Sequence, residues 1–135
     1  MAKAVVDDFL ARQRAMYAGR DVAPVEDLLA EDVVWHVLGA SPIAGDYRGR
    51  AAVLGYFRRR RELAGGAIAI TKVAEAHHDE ALVQLADGRA MIGGEEVFWR
   101  TAGAYRVAGD RIAEAWLVPL DPEGFDRVWT TAGSA

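Results

Sequence analysis

Within residues 2–18, Val6, Phe9, Leu10, Gln13, Met16 and Tyr17 recur at i, i+3, i+4, i+7, i+10 and i+11. That spacing lays one face of a helix against a core. Gly19 ends the helix, and Asp21 is placed to cap a short second one with Val22, Val25, Leu28 and Leu29 inward. From Asp32 to Val37 the chain changes to β-branched and aromatic residues, which predicts a strand. A loop rich in glycine, serine and proline runs from Gly39 to Gly49. A third helix is predicted over about residues 50–63, with Val53, Tyr56, Phe57, Leu63 and Ala64 in register and Gly65-Gly66 closing it.

Beyond that point the period falls to two. Residues 67–77, 80–92, 96–107 and 111–118 read as four strands, joined by turns at His78-Asp79, Gly93-Gly94-Glu95 and Gly109-Asp110. Between residues 96 and 107 the odd positions Val97, Trp99, Thr101, Gly103, Tyr105 and Val107 are apolar or small, while Glu96, Arg100 and Arg106 fall on even ones. One face therefore packs inward and the other carries charge. Asp121-Pro122 opens a terminal helix that reaches about Trp129. Helices gathered on one face of a curved antiparallel sheet make an α+β fold.

The chain has 135 residues, the length of one domain. It contains no cysteine, which removes disulfides, thiolate nucleophiles and cysteine-ligated metals. Sixteen basic residues against twenty acidic ones leave a net charge of −4, so an electrostatic nucleic-acid partner is not expected. No apolar run has the length of a membrane span, and the first residues have no secretory apolar region. The expectation is a soluble, cytoplasmic domain without membrane or nucleic-acid partners. His77 and His78 are adjacent, so their rings diverge and no metal site is expected there.

Three stretches carry a resemblance: Tyr17-Ala-Gly-Arg-Asp, Leu29-Ala-Glu-Asp-Val-Val-Trp-His, and Gly39-Ala-Ser-Pro-Ile-Ala-Gly-Asp-Tyr-Arg-Gly-Arg. With Tyr105-Arg-Val-Ala-Gly-Asp-Arg-Ile-Ala-Glu-Ala-Trp and Asp121, they resemble the SnoaL-like branch of the nuclear transport factor 2-like superfamily. That superfamily includes ketosteroid isomerase, limonene epoxide hydrolase and polyketide cyclases. The resemblance implies a cone-shaped domain, cystatin-like in outline, whose curved sheet and N-terminal helices enclose one apolar pocket, commonly as a homodimer. It also places His36 where the isomerase has its general-base carboxylate. The counterparts of that enzyme's oxyanion-hole Tyr and Asp fall at Arg12, or its neighbours, and at Gly103, so that hole is missing. Epoxide hydrolases of this fold use an Asp–Arg–Asp set, and Asp87-Gly88-Arg89 supplies those types in the opposite order.

His36 is the leading candidate for proton transfer, because an imidazole titrates near neutral pH without a large shift. Its apolar strand neighbours suggest that it points into the domain with Val34; the alternative is a structural histidine held by a carboxylate. Arg60 interrupts the apolar stripe of the third helix, seven residues from Val53 and four from Tyr56. Turned inward, it could clamp a carboxylate or stabilise an enolate; turned outward, it joins the solvated run Arg58–Arg61.

Asp87 and Arg89 share a strand face. A two-residue turn at Gly93-Gly94 sets Asp87 opposite Arg100 on the outer face; a three-residue turn points both into the pocket beside Trp99. Glu114, among Ile112, Trp116 and Val118, needs a partner. Asp121 reads either as a helix cap or as an orienting partner for His36. Trp35, Tyr56, Trp99, Trp116, Phe125 and Trp129 are core or pocket-wall aromatics suited to a flat apolar ligand.

The expected function is cofactor-independent acid–base chemistry on a small, largely apolar molecule, an isomerisation or cyclisation. His36 would transfer the proton and Arg60 or the Asp87/Arg89 pair would stabilise charge, with Asp121 in support. Arg89, Trp35, Tyr56, Trp99, Trp116 and Trp129 would contact substrate. The rival readings are a non-catalytic binding or scaffold protein, and an epoxide hydrolase.

Overall fold

The computed structural model describes residues 2–18, 23–66 and 68–134. Gly19, Asp21 and Val22, expected at the junction of the first two helices, lie outside the described residues. Helix α1 spans Ala2–Tyr17, and its buried residues include all six of the stripe from Val6 to Tyr17. A single turn, α2 (Ala23–Glu26), leads into strand β1 (Leu29–Val37). Strand β2 (Gly45–Arg48) precedes α3 (Arg50–Leu63). Four long strands follow: β3 (Ala69–His78), β4 (Ala81–Ile92), β5 (Glu95–Ala108) and β6 (Arg111–Pro119). Helix α4 (Pro122–Ser134) closes the chain.

The six strands form one sheet in the order β2-β1-β6-β5-β4-β3. The sheet is the expected curved antiparallel one except at a single pairing, where β1 runs parallel to β6. Pairing strands so distant in sequence has no local signature. The Gly39–Gly49 loop likewise contains β2, a short and mostly exposed edge strand whose lack of apolar residues hid it.

Register shifts in β1, β3 and at the β5–β6 pairing bend the strands, as bulges do. They curl the sheet into an open cone with the helices on its concave face. The β4–β5 hairpin turns on Gly93-Gly94, with φ of 61° and 82°, the left-handed pair that a tight two-residue hairpin requires.

The concave face is aromatic. Phe9 of α1, Trp35 of β1, Phe57 of α3 and Tyr105 of β5 meet with centroids between 5.1 and 6.2 Å apart. A second group joins Trp99 of β5 to Trp129 and Phe125 of α4. Gly88 makes room for Trp99, because a Cβ at position 88 would overlap the indole. No helix among the described residues is long and apolar enough to cross a membrane.

Candidate functional site

The interior of the cone retains a chamber of about 30 Å³, lined by Gln13, Arg60, Gln84, Trp99, Thr101 and Tyr105 among others. A space of that size holds a water molecule or two. Arg60 supplies its charge. It is the one buried member of the Arg58–Arg61 run, 4% exposed, so the inward orientation holds. Its guanidinium carbon lies 5.5–5.8 Å from the ring centroids of Tyr17, Trp99 and Trp129. Nη1 donates a long bond of 3.5 Å to the Tyr56 hydroxyl, while Nε has no hydrogen-bond partner. Among the described residues no carboxylate pairs with it.

The remaining polar groups of the interior are neutral. Gln84 donates through Nε2 to the Tyr105 hydroxyl at 3.3 Å, and its Oε1 is unpaired. The Tyr17 hydroxyl and Trp129 Nε1 are also buried without partners. Burial pushes the Tyr105 phenol up to about 12 and raises Tyr17 and Tyr56 as well. All three hydroxyls therefore keep their protons at neutral pH. Gln84 was legible in the chain: it shares the inward face of β4 with Leu82, Ala86, Gly88 and Ala90, where a lone amide stands out. The sequence reading passed over it.

A groove of about 440 Å³ lies between β5 and α4, lined by Val97, Phe98, Trp99, Phe125, Val128 and other residues. Trp99 is the one side chain shared by groove and chamber.

His36 does not face this interior. In β1 the buried residues are Leu29, Val33, Trp35 and Val37, so His36 and Val34 lie on the outer face of the sheet. Apolar residues on both faces of the strand erased the alternation that would have shown it. There the imidazole bridges two carboxylates, Nδ1 to Asp46 at 2.7 Å and Nε2 to Glu114 at 2.6 Å. Hydrogen bonding to Glu114, then to Asp46, raises its pKa, so the imidazolium donates through both nitrogens. Glu114, whose odd placement called for a partner, also accepts from Arg106 at 3.3 Å and is held below the usual carboxylate range, chiefly by His36. Trp116 stacks on the His36 ring at 5.4 Å. Its indole therefore lies on the outer face, while the residue is also among those that line the chamber.

For Asp87 and Asp121 the structure takes one of the two placements the sequence left open, in each case the one that is not catalytic. The β4–β5 turn takes two residues, so Asp87 sits opposite Arg100 and accepts from it at 2.6 and 2.9 Å on the outer face. Arg89, two residues on, is exposed on the same face; neither reaches the chamber. Asp121 caps α4, accepting from the Gly124 N–H at 3.1 Å, and has no bond to His36. Arg12, which stands where the isomerase has its oxyanion-hole tyrosine, pairs with Asp8. Of the expected wall residues, the structure brings Trp35, Tyr56, Trp99 and Trp129 to the concave side with Arg60.

Residues 10–115 match the family model of the SnoaL-like domain. Bal32a, from a soil-derived mobile gene cassette, superposes with a TM-score of 0.82 at 22% identity, covering 95% of this chain and 98% of its own. A nuclear transport factor 2-like protein from Anabaena variabilis gives a TM-score of 0.78 at 17% identity, covering 87% and 88% of the two chains. TerC, co-crystallised with polyporic acid, gives 0.77 at 13% identity, covering 92% and 96%. These likenesses establish the fold. No protein of curated function matches the chain.

Proposed function

Because this chain belongs to the SnoaL-like domain family, we propose that it is a small-molecule-binding domain that takes a flat, largely apolar ligand inside the cone. The family's fold includes isomerases and cyclases, but a fold does not carry its chemistry with it. One observation carries the reading: an aromatic-walled chamber lined by Arg60 and Gln84, each with a buried unpaired atom, that shares Trp99 with a groove of about 440 Å³. Apolar pockets with a few convergent polar groups are the usual form of a ligand site. Proton transfer by His36 is not part of it, since that ring is on the opposite face of the sheet. The described residues lining the chamber include no imidazole and no carboxylate. TerC, of the same fold, was crystallised with polyporic acid, which supports a ligand of this kind.

Titrating flat aromatic compounds against the intrinsic tryptophan fluorescence tests this reading. Saturable binding is expected, and Ala86→Leu, which fills the chamber, should abolish it while leaving the melting temperature at or above that of the parent. Binding that survives the filling places the ligand elsewhere and refutes the reading, as does the absence of any saturable binder.

The outer face supports a second copy of this chain as the partner. Ala76, Val83, Ala104 and Trp116 align across β3–β6, beside Ala74, Leu85, Ala102 and Val118. This apolar band runs between two charged rows, Arg106–Glu114 and Asp87–Arg100. Rows that carry both signs are self-complementary under a two-fold axis. Val83, 51% exposed in one chain, is the position to change: sedimentation should show a dimer for the parent and a monomer for Val83→Glu. A monomeric parent at micromolar concentration overturns the pairing.

A further inference from the structure

We propose that Arg60 forms an anion subsite, so that the ligand of the cone carries a carboxylate which the guanidinium receives. This rests on the reading of the cone as a ligand chamber and adds the chemical class of what fills it.

Arg58 and Arg59 are exposed on α3 while Arg60 is buried, so the helix places one guanidinium in the core although solvent is available to its neighbours. Taking such a charge out of water is unfavourable unless an opposite charge or a full set of hydrogen bonds compensates. Neither is present. The charged residues of the sheet pair with one another on the outer face, Asp87 with Arg100 and Glu114 with His36 and Arg106. Inside the cone, Arg60 has three aromatic ring faces and one long bond to Tyr56. The rings partly compensate the charge, but they leave Nε unmet.

The unpaired atoms have a definite character. Arg60 Nε and Trp129 Nε1 are donors, and the Tyr17 hydroxyl keeps its proton; Gln84 Oε1 is the one pure acceptor among the unpaired atoms of the cone. Of these residues only Arg60 and Gln84 line the chamber, and the fixed positive charge of Arg60 complements an oxyanion. Carboxylate geometry suits the planar fork of arginine better than a spherical anion does. The chamber of about 30 Å³ admits only the carboxylate oxygens, in place of a water or two, and the body of the ligand has the groove of about 440 Å³ beyond Trp99, whose lining also includes Glu95, Arg100, Asp121 and Arg127. Trp99 is the partition that the ligand displaces.

The test compares 2-naphthoate with the isosteric neutral 2-naphthamide, titrated by calorimetry against the unsubstituted protein, Arg60→Met and Arg60→Lys. Naphthoate should bind the unsubstituted protein about tenfold or more tighter than the amide, the factor expected of a charge-assisted hydrogen bond formed out of water. Arg60→Met should erase that preference while still binding the amide, and Arg60→Lys should keep a reduced preference. Equal affinity of the two probes for the unsubstituted protein overturns the anion subsite and leaves the cone as an apolar site. A preference that persists in Arg60→Met also overturns it, by placing the anion elsewhere. If neither probe binds, the proposal falls together with the reading it rests on. The two-probe comparison on the unsubstituted protein decides the matter even if Arg60→Met does not fold.

Discussion

Replacing Arg60 by methionine should make the unliganded protein more stable. An unpaired ion buried in a protein interior carries a penalty of several kcal/mol after relaxation. Against this, Arg60 has three ring contacts at 5.5–5.8 Å, each contributing on the order of 0.5–2 kcal/mol. Its 3.5 Å bond to Tyr56 is at the limit of useful geometry. Methionine keeps the unbranched stem against the same aromatic walls and removes the charge. It leaves a slightly larger void, at roughly 24 cal/mol per Å³. The ring contacts offset much of that penalty, so the balance favours the variant by about 1 kcal/mol, the low end of what is seen when buried ion pairs give way to apolar residues of similar volume. For a chain of this length, that is a rise of roughly 4 °C in melting temperature.

Urea unfolding followed by tryptophan fluorescence, with thermal melts at matched protein concentration, measures the difference directly. An unchanged m-value would assign it to the native state. A variant less stable than the parent would refute the reasoning, because the guanidinium would then be holding the core together rather than awaiting a partner.

Three further outcomes follow from the outer face and the caps. The His36 pKa is raised above 6.5 in the folded protein, so its imidazolium stabilises fully below about pH 6.5, and that contribution is lost as pH rises through the folded value. Unfolding free energies measured across that interval should fall with pH for the parent and stay flatter for His36→Gln; equal slopes would remove His36 as the cause. Asp121→Ala should lower stability by about 1 kcal/mol through loss of the α4 cap, measured by denaturant titration; unchanged stability would remove Asp121 as the cap. Asp87→Asn breaks an exposed pair with Arg100 and should leave both ligand affinity and melting temperature nearly as they were; a large loss of affinity would mean that this carboxylate reaches the ligand after all.

How much the sequence disclosed depended on contrast between faces. In α1 one face is largely apolar and the other polar, and in β5 charged residues fall only on the outward positions, so the inward residues of both were legible. Arg60 was legible as a break in an otherwise apolar stripe, and Glu114 as a carboxylate in need of a partner. β1 offered no such contrast: Val33, Trp35 and Val37 cover the core while Val34 and the aromatic bridge of His36 and Trp116 cover the back. Either face could have been the inner one, and His36 was placed on the wrong side. Its partner Asp46 lies on β2, which four residues of edge strand could not announce. The Asp87 register hinged on a single turn residue, and only the hairpin geometry decided it.

The fit of Trp99 over Gly88 binds two positions into one unit of inheritance. A lineage cannot acquire a side chain at 88 while keeping the indole at 99, and each departure from glycine must follow or accompany a smaller residue opposite. Among homologues, the identity at 88 should therefore forecast the capacity of the cone: glycine with tryptophan where the interior is nearly filled, and a larger residue at 88 with a lesser one at 99 where it stands open. Divergence in what these proteins hold could proceed through that exchange, leaving the outer face of the sheet untouched.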